Sequence, residues 1–125
     1  MQVVGKFKNG TITISNLRSE DCKDYVCHLC FDLKVETYNT SFIYNFGEVV
    51  YFHLYDFIDK KQQRLVDENA IDNYLELTKE FFGVNIEQNG FSSRIKLEFE
   101  GLEDKESLDN FLLELRAYSE VLMKG

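Results

Sequence analysis

The chain has 125 residues and a formal net charge of −8, with 22 carboxylates against 14 lysines and arginines. Nucleic acid and anionic membranes both bind clustered cations, so this balance argues against either as the partner. It permits a basic protein as the partner, or an acidic soluble protein whose charge has no role in binding. The length predicts a single domain over residues 1–125. A cytoplasmic protein is expected, because the sequence contains no secretion signal and no run of about 18 apolar residues.

The first predicted element is a β-hairpin at Asn9-Gly10, because the type I′ turn of a two-residue loop needs positive φ at both central residues. Pairing across this loop opposes Lys8 with Thr11 and places the apolar residues of both strands on one face. The side chains of Lys6 and Lys8 point outward, and such lysines on an edge strand disfavour its pairing with a strand of another molecule. They predict a monomer or a weak dimer.

Residues 25–36 alternate between apolar and polar side chains, which predicts a long strand, and a turn then leads to another strand from about Ser41 to Asn45. The pattern of residues 48–59 is ambiguous between a strand and a helix. Their apolar residues recur at helical spacing, but the content of valine, tyrosine and phenylalanine favours a strand. We interpret this segment as a strand.

An acidic helix is predicted next, beginning at a cap formed by Asp67 and ending near Gly83. Carboxylates recur along it at intervals of four residues, and we call them the acidic stripe: Glu68, Asp72, Glu76 and Glu80. Like charges at this spacing on a helix cost about 0.2–0.5 kcal/mol per pair. A basic partner surface would explain that cost, and an ordinary solvated face is the alternative.

A second hairpin is predicted at Asn89-Gly90 by the same turn chemistry. Its register is expected to turn Phe91 away from the apolar side chains of Ile95 and Leu97. Phe91 is therefore a candidate exposed anchor for a protein partner.

The last predicted element is a helix capped by Asp104, with apolar residues at the 3.6-residue period. Three further candidate partner-binding acids lie at the end of the last predicted strand and just before the start of this helix: Glu98, Glu100 and Glu103. The order of strands, helix, hairpin and helix predicts the α+β class. We expect an antiparallel sheet, built from hairpins and a long central strand, with two or three helices packed on one face.

The cysteines and histidines match no catalytic or metal-binding motif. Three cysteines predict no disulfide framework, and Cys27 and Cys30 lie on opposite faces of one strand, which disfavours a shared zinc ion. His28, Cys30 and Asp32 share a face but lack an oxyanion site, and His53 could join His28 across a sheet without requiring a metal. The sequence therefore predicts no catalytic residue, no metal and no cofactor.

In size, charge and helix-capped sheet architecture, the whole chain resembles the small acidic immunity proteins of bacterial toxin systems and the phage-encoded inhibitors of defence nucleases. The resemblance lies in this general profile and in no specific motif. It implies a protein that binds a basic toxin or nuclease, either by blocking the active site or by mimicking nucleic acid with the acidic stripe. A structural subunit of an oligomer and a small enzyme that uses His28, Cys30 or His53 are the alternatives.

Overall fold

The computed structural model describes residues 1–23 and 26–124, with the backbone alone for residues 20–23 and 26. The strands are β1 (Gln2–Phe7), β2 (Gly10–Lys23), β3 (Val26–Thr37), β4 (Ser41–Val50), β5 (Arg64–Asp67), β6 (Ala70–Leu77), β7 (Phe81–Gln88) and β8 (Phe91–Glu98). The helices are α1 (Tyr51–Ile58), between β4 and β5, and α2 (Leu102–Lys124), after β8. Neither helix in the described part of the chain contains the length of apolar sequence that a membrane span requires.

The fold belongs to the α+β class and contains two antiparallel four-stranded sheets, in the orders β1-β2-β3-β4 and β5-β6-β7-β8. Each sheet is a meander, in which consecutive strands pair with one another. The prediction of one sheet with helices on one face is wrong in this respect. The chain leaves the first sheet through α1 and begins a separate sheet at β5.

The apolar faces of both sheets and both helices meet in one hydrophobic cluster. Phe82 of β7 connects the elements of this cluster. The centroid of its ring lies 5.9 Å from that of Phe111 in α2, 6.3 Å from that of Phe57 in α1 and 6.5 Å from that of Phe7 in β1. The contacts of one buried ring therefore hold both helices and the first sheet against the second sheet.

The first hairpin forms in a different register from the predicted one. Thr11 pairs with Lys6 instead of Lys8, and because the partner moves by two residues, every side chain keeps its face. The need for glycine at position 10 is explained better by packing between the sheets than by the conformation of the turn. A Cβ atom on Gly10 would lie 2.7 Å from a side-chain carbon of Leu97 in β8, so glycine permits the close approach of the two sheets.

The predicted long strand is confirmed as β3, except for residue 25, which lies outside the described residues. For residues 48–59, the interpretation as a strand is wrong beyond Val50, because residues 51–58 form α1. The side chains of Leu54, Phe57 and Ile58 are buried together on one side of this helix. Their helical spacing therefore outweighs the strand preference of the individual residues.

Residues 67–83 form strands and turns instead of the predicted acidic helix. Asp67 ends β5 and does not cap a helix. A spacing of four residues is compatible with a strand as well as a helix, because side chains two and four residues apart share a face of a strand. In β6, Asn73, Leu75 and Leu77 are buried, whereas Asp72 on the opposite face is exposed.

Helix α2 confirms the last predicted helix and covers the edge of β1. The predicted cap is wrong, because the helix begins at Leu102 and Asp104 lies within its first turn. Ser107 donates its hydroxyl proton to the carbonyl of Lys6 (2.5 Å) and accepts a hydrogen bond from the backbone N–H of the same residue (3.2 Å). Asp104, in the first turn of α2, accepts hydrogen bonds from the backbone N–H groups of Lys8 (3.1 Å) and Glu100 (2.9 Å). Hydrogen bonds to the helix thus protect this edge, in addition to the lysines that the sequence indicates.

Candidate binding surfaces

The eight residues predicted to bind a partner do not form one continuous surface. Pairing of the strands separates them along the second sheet. Near the β5–β6 and β7–β8 turns lie Glu68, Asp72 and Phe91, whereas near the β6–β7 turn and the start of α2 lie Glu80, Glu98, Glu100 and Glu103. Glu76 lies between the two groups.

Glu76 is buried in an ion-pair cluster and is only 5% exposed. One carboxylate oxygen lies 3.1 Å from Nε of Arg64 on β5, and the other lies 3.3 Å from a terminal nitrogen of Arg94 on β8. Gly83 is opposite Glu76 on the intervening strand, β7. This member of the acidic stripe is therefore occupied by contacts within the protein.

Replacing Glu76 by glutamine is expected to lower the free energy of unfolding by about 1–2 kcal/mol, because both arginines lose their charged partner. The loss is limited because the two arginine side chains are half exposed and can be hydrated. Glu80→Gln, at an exposed position, is the matched control and should change stability by no more than about 0.5 kcal/mol. Urea denaturation measures both values, and equal stability of the two variants would refute the structural role of Glu76.

One end of the second sheet carries an acidic surface with exposed apolar groups. We call it the acidic tip and define it by Glu68, Ile71, Asp72, Glu87 and Phe91. The side chains of Phe91 and Ile71 are 79% and 66% exposed. Asp72, Glu87 and Phe91 line a single cleft of about 400 Å³. One aromatic side chain and two carboxylates are therefore available in the same cleft.

The register of β7 and β8 confirms the second hairpin but corrects the orientation of Phe91. Phe91 pairs with Gln88, and regular alternation from this pair places it on the same face as Ile95 and Leu97, not the opposite one. Phe91 is exposed because it is the first residue of β8, whereas Leu97, near the other end of the strand, is buried. Its exposure agrees with the prediction, although the reason for it differs.

A buried network of hydrogen bonds connects the acidic tip to the first sheet. Asn73 is 2% exposed; its side-chain oxygen accepts a hydrogen bond from the backbone N–H of Glu87 (2.6 Å), and its amide donates to Tyr44 (2.8 Å). The hydroxyl of Tyr44 donates to the carboxylate of Asp67 (2.8 Å). Burial raises the pKa of Tyr44, and its hydrogen bond to Asp67 acts in the same direction. The network holds β7 in place beside the cleft.

The acids at the opposite end of the second sheet lie among lysines. Glu100 forms an ion pair with Lys8 at 2.8 Å, and this hydrogen bond raises the pKa of Lys8. Glu98 and Glu103 are exposed nearby. This end is therefore the weaker candidate for binding a basic partner.

The two histidines each contact a carboxylate. His28 Nε2 lies 3.2 Å from Glu48, and His53 Nδ1 lies 3.5 Å from Glu68. The histidines do not meet as neighbours across a sheet, because His53 lies in α1. Among the side chains that the structure describes, those of residues 1–19 and 27–124, no three His, Cys, Asp or Glu residues are arranged to hold a metal ion.

The cysteines and Asp32 have contacts of other kinds. The thiol of Cys30 is buried and donates to the backbone carbonyl of Arg18 at 3.8 Å. Asp32 accepts a hydrogen bond from the side chain of Asn45 at 2.6 Å. Cys27 is disulfide-bonded, so the prediction that the cysteines form no disulfide is wrong for this residue.

Comparisons with protein-family models, with curated proteins and with solved structures found no match for this chain.

Proposed function

We propose that this protein is a non-enzymatic binding protein of the immunity or inhibitor type, which neutralises a basic toxin or nuclease through the acidic tip. The observation that carries the proposal is the 79% exposure of Phe91 beside the carboxylates of Asp72 and Glu87 in one cleft. Exposed aromatic side chains supply much of the affinity of protein interfaces when they enter a pocket on the partner. Carboxylates around them attract a basic partner and increase the association rate.

The charge of the whole chain supports a basic partner. A net charge of −8 on 125 residues produces a long-range field that attracts a cationic protein and repels nucleic acid. Coverage of the β1 edge by α2 supports the further proposal that the protein is a monomer or a weak dimer. The acidic tip would then remain accessible to a different protein.

The proposal predicts that Phe91→Ala lowers affinity for the partner at least tenfold, because the ring would no longer fill a pocket on the partner surface. The double variant Asp72→Asn, Glu87→Gln should mainly slow association and reduce its dependence on salt concentration. The matched control neutralises Glu106 and Glu114 of α2, which are also exposed and change the net charge by the same amount.

The partner is first identified by affinity capture from extracts of the source organism with the wild-type chain. Association and dissociation rates of the purified partner are then measured by surface plasmon resonance at several salt concentrations. Co-expression with the partner tests neutralisation of its toxicity directly. The proposal fails if Phe91→Ala binds as tightly as the wild type, or if both double variants weaken binding equally.

A further inference from the structure

A larger cleft lies away from the acidic tip, between the α1–β5 loop, the β6–β7 turn and the first turns of α2. Its volume is about 750 Å³. The buried side chains of Leu77 and Leu108, together with Phe99, form an apolar floor. Four lysines surround this floor: Lys60, Lys61, Lys79 and Lys105. We call this site the lysine cleft, and it shares no residue with the acidic tip.

The charge of the lysine cleft is opposite to that of the protein. Four of the ten lysines in the chain line it, although the net charge is −8. Asp109 is the one carboxylate in the lining, and it lies 3.3 Å from Lys60. Among the described side chains of residues 1–19 and 27–124, no carboxylate lies within ion-pair distance of Lys61, Lys79 or Lys105. Three positive charges are therefore available to a ligand.

The loop that carries two of these lysines is held by hydrogen bonds at the end of α1. Lys60 has a φ of 61°, in the left-handed region that usually favours glycine. Its N–H donates to the carbonyl of Phe57 (3.1 Å), and that of Lys61 donates to the carbonyl of Asp56 (2.8 Å), which together form a Schellman motif. The N–H of Leu77 binds the carbonyl of Gln63 (2.8 Å) and ties the loop to β6. The cleft is thus preorganised, which lowers the entropic cost of binding.

We propose that the lysine cleft binds a small organic anion, in which an aromatic or aliphatic body carries a phosphate, sulfonate or carboxylate group. The volume lies within the range of about 300–1,000 Å³ that is typical of small-molecule sites. The apolar floor buries the body of such a ligand, and the ammonium groups of Lys61, Lys79 and Lys105 bind its charged group as point charges. An inorganic anion would leave the floor uncovered, and a neutral apolar molecule would leave the lysines without a partner.

The test uses the full chain and 1-naphthyl phosphate as the probe, with 1-naphthol and inorganic phosphate as partial analogues, in calorimetric titrations. Saturable 1:1 binding of naphthyl phosphate, at least tenfold tighter than either analogue, is the expected result. The triple variant Lys61→Gln, Lys79→Gln, Lys105→Gln should weaken it at least tenfold. The variant in which these three lysines are replaced by arginine should still bind naphthyl phosphate.

The matched control changes Lys6, Lys34 and Lys124 to glutamine, which alters the net charge equally but leaves the cleft intact. Equal weakening in both glutamine variants would overturn the proposal, because overall charge would then explain the attraction. Absence of saturable binding to the wild type at millimolar probe, or equally tight binding of 1-naphthol, would overturn it as well.

Nuclear magnetic resonance locates the bound probe. Shift changes at Leu77, Thr78 and Leu108 are expected, whereas changes confined to the acidic tip would refute the assignment. If a glutamate hexapeptide bound more tightly than naphthyl phosphate, the ligand of the lysine cleft would be an acidic peptide, and the proposal of a small organic anion would be wrong. Because the two surfaces share no residue, failure at the lysine cleft leaves the proposed function of the acidic tip intact.

Discussion

Replacing Asp67 by alanine is expected to lower the free energy of unfolding by about 4 kcal/mol, because its carboxylate serves four donors at once. The side chain is 2% exposed and accepts hydrogen bonds from the backbone N–H groups of Gly47 (3.2 Å), Glu48 (3.2 Å) and Asn69 (3.0 Å) and from the hydroxyl of Tyr44 (2.8 Å). Each buried donor left without an acceptor costs about 1–3 kcal/mol, and such costs are not fully additive.

Urea denaturation measures this loss, with Asp72→Ala as the matched control. Asp72 lies on the adjacent strand but is exposed, so its replacement should change stability by no more than about 0.5 kcal/mol. A loss below about 1 kcal/mol for Asp67→Ala would contradict the prediction. It would mean that water satisfies the donors and that the carboxylate does not hold the two sheets together.

Replacing Phe82 by alanine is expected to lower the free energy of unfolding by about 3–5 kcal/mol. Its ring is fully buried and contacts three other aromatic rings, so its removal leaves a cavity in addition to the lost transfer free energy. The midpoint of thermal unfolding should fall by about 15 °C.

Phe91→Ala is the control for this prediction, because it removes the same side chain from a 79% exposed position. It should change stability by less than about 0.5 kcal/mol. Differential scanning calorimetry compares the two variants. A loss of less than about 1.5 kcal/mol for Phe82→Ala would show that the aromatic cluster repacks around the missing ring. Retained stability of Phe91→Ala also makes its effect on partner binding interpretable.

Local chemistry accounts for the elements that were predicted correctly. At the second hairpin, Asn89 and Gly90 have φ values of 52° and 80°, as the type I′ turn requires, and the register follows from that turn. Helix α2 was predictable because apolar residues recur at the helical period from Leu108 to Leu122. In both cases the signal lies within one continuous segment.

The conformation of residues 67–83 could not be predicted from the sequence alone. Its carboxylates at intervals of four residues fit both a helix and a strand, so their spacing could not distinguish the two. Strand β6 pairs with β5 on one side and with β7 on the other, and these partners decide its conformation. The two arginines that neutralise Glu76 come from β5 and β8, so the sequence alone could not identify it as an ion-pair residue.

The α+β class, the second hairpin, the long strand β3 and the last helix were predictable from the sequence, because each depends on local turn chemistry or on a short repeating pattern. Three features became visible only in the folded chain: the division into two sheets, the four donors around Asp67 and the position of lysines 60, 61, 79 and 105 around one cleft. These features join residues that are far apart in the chain. Their contacts form when sheets and helices pack, and no short segment carries a signal for them.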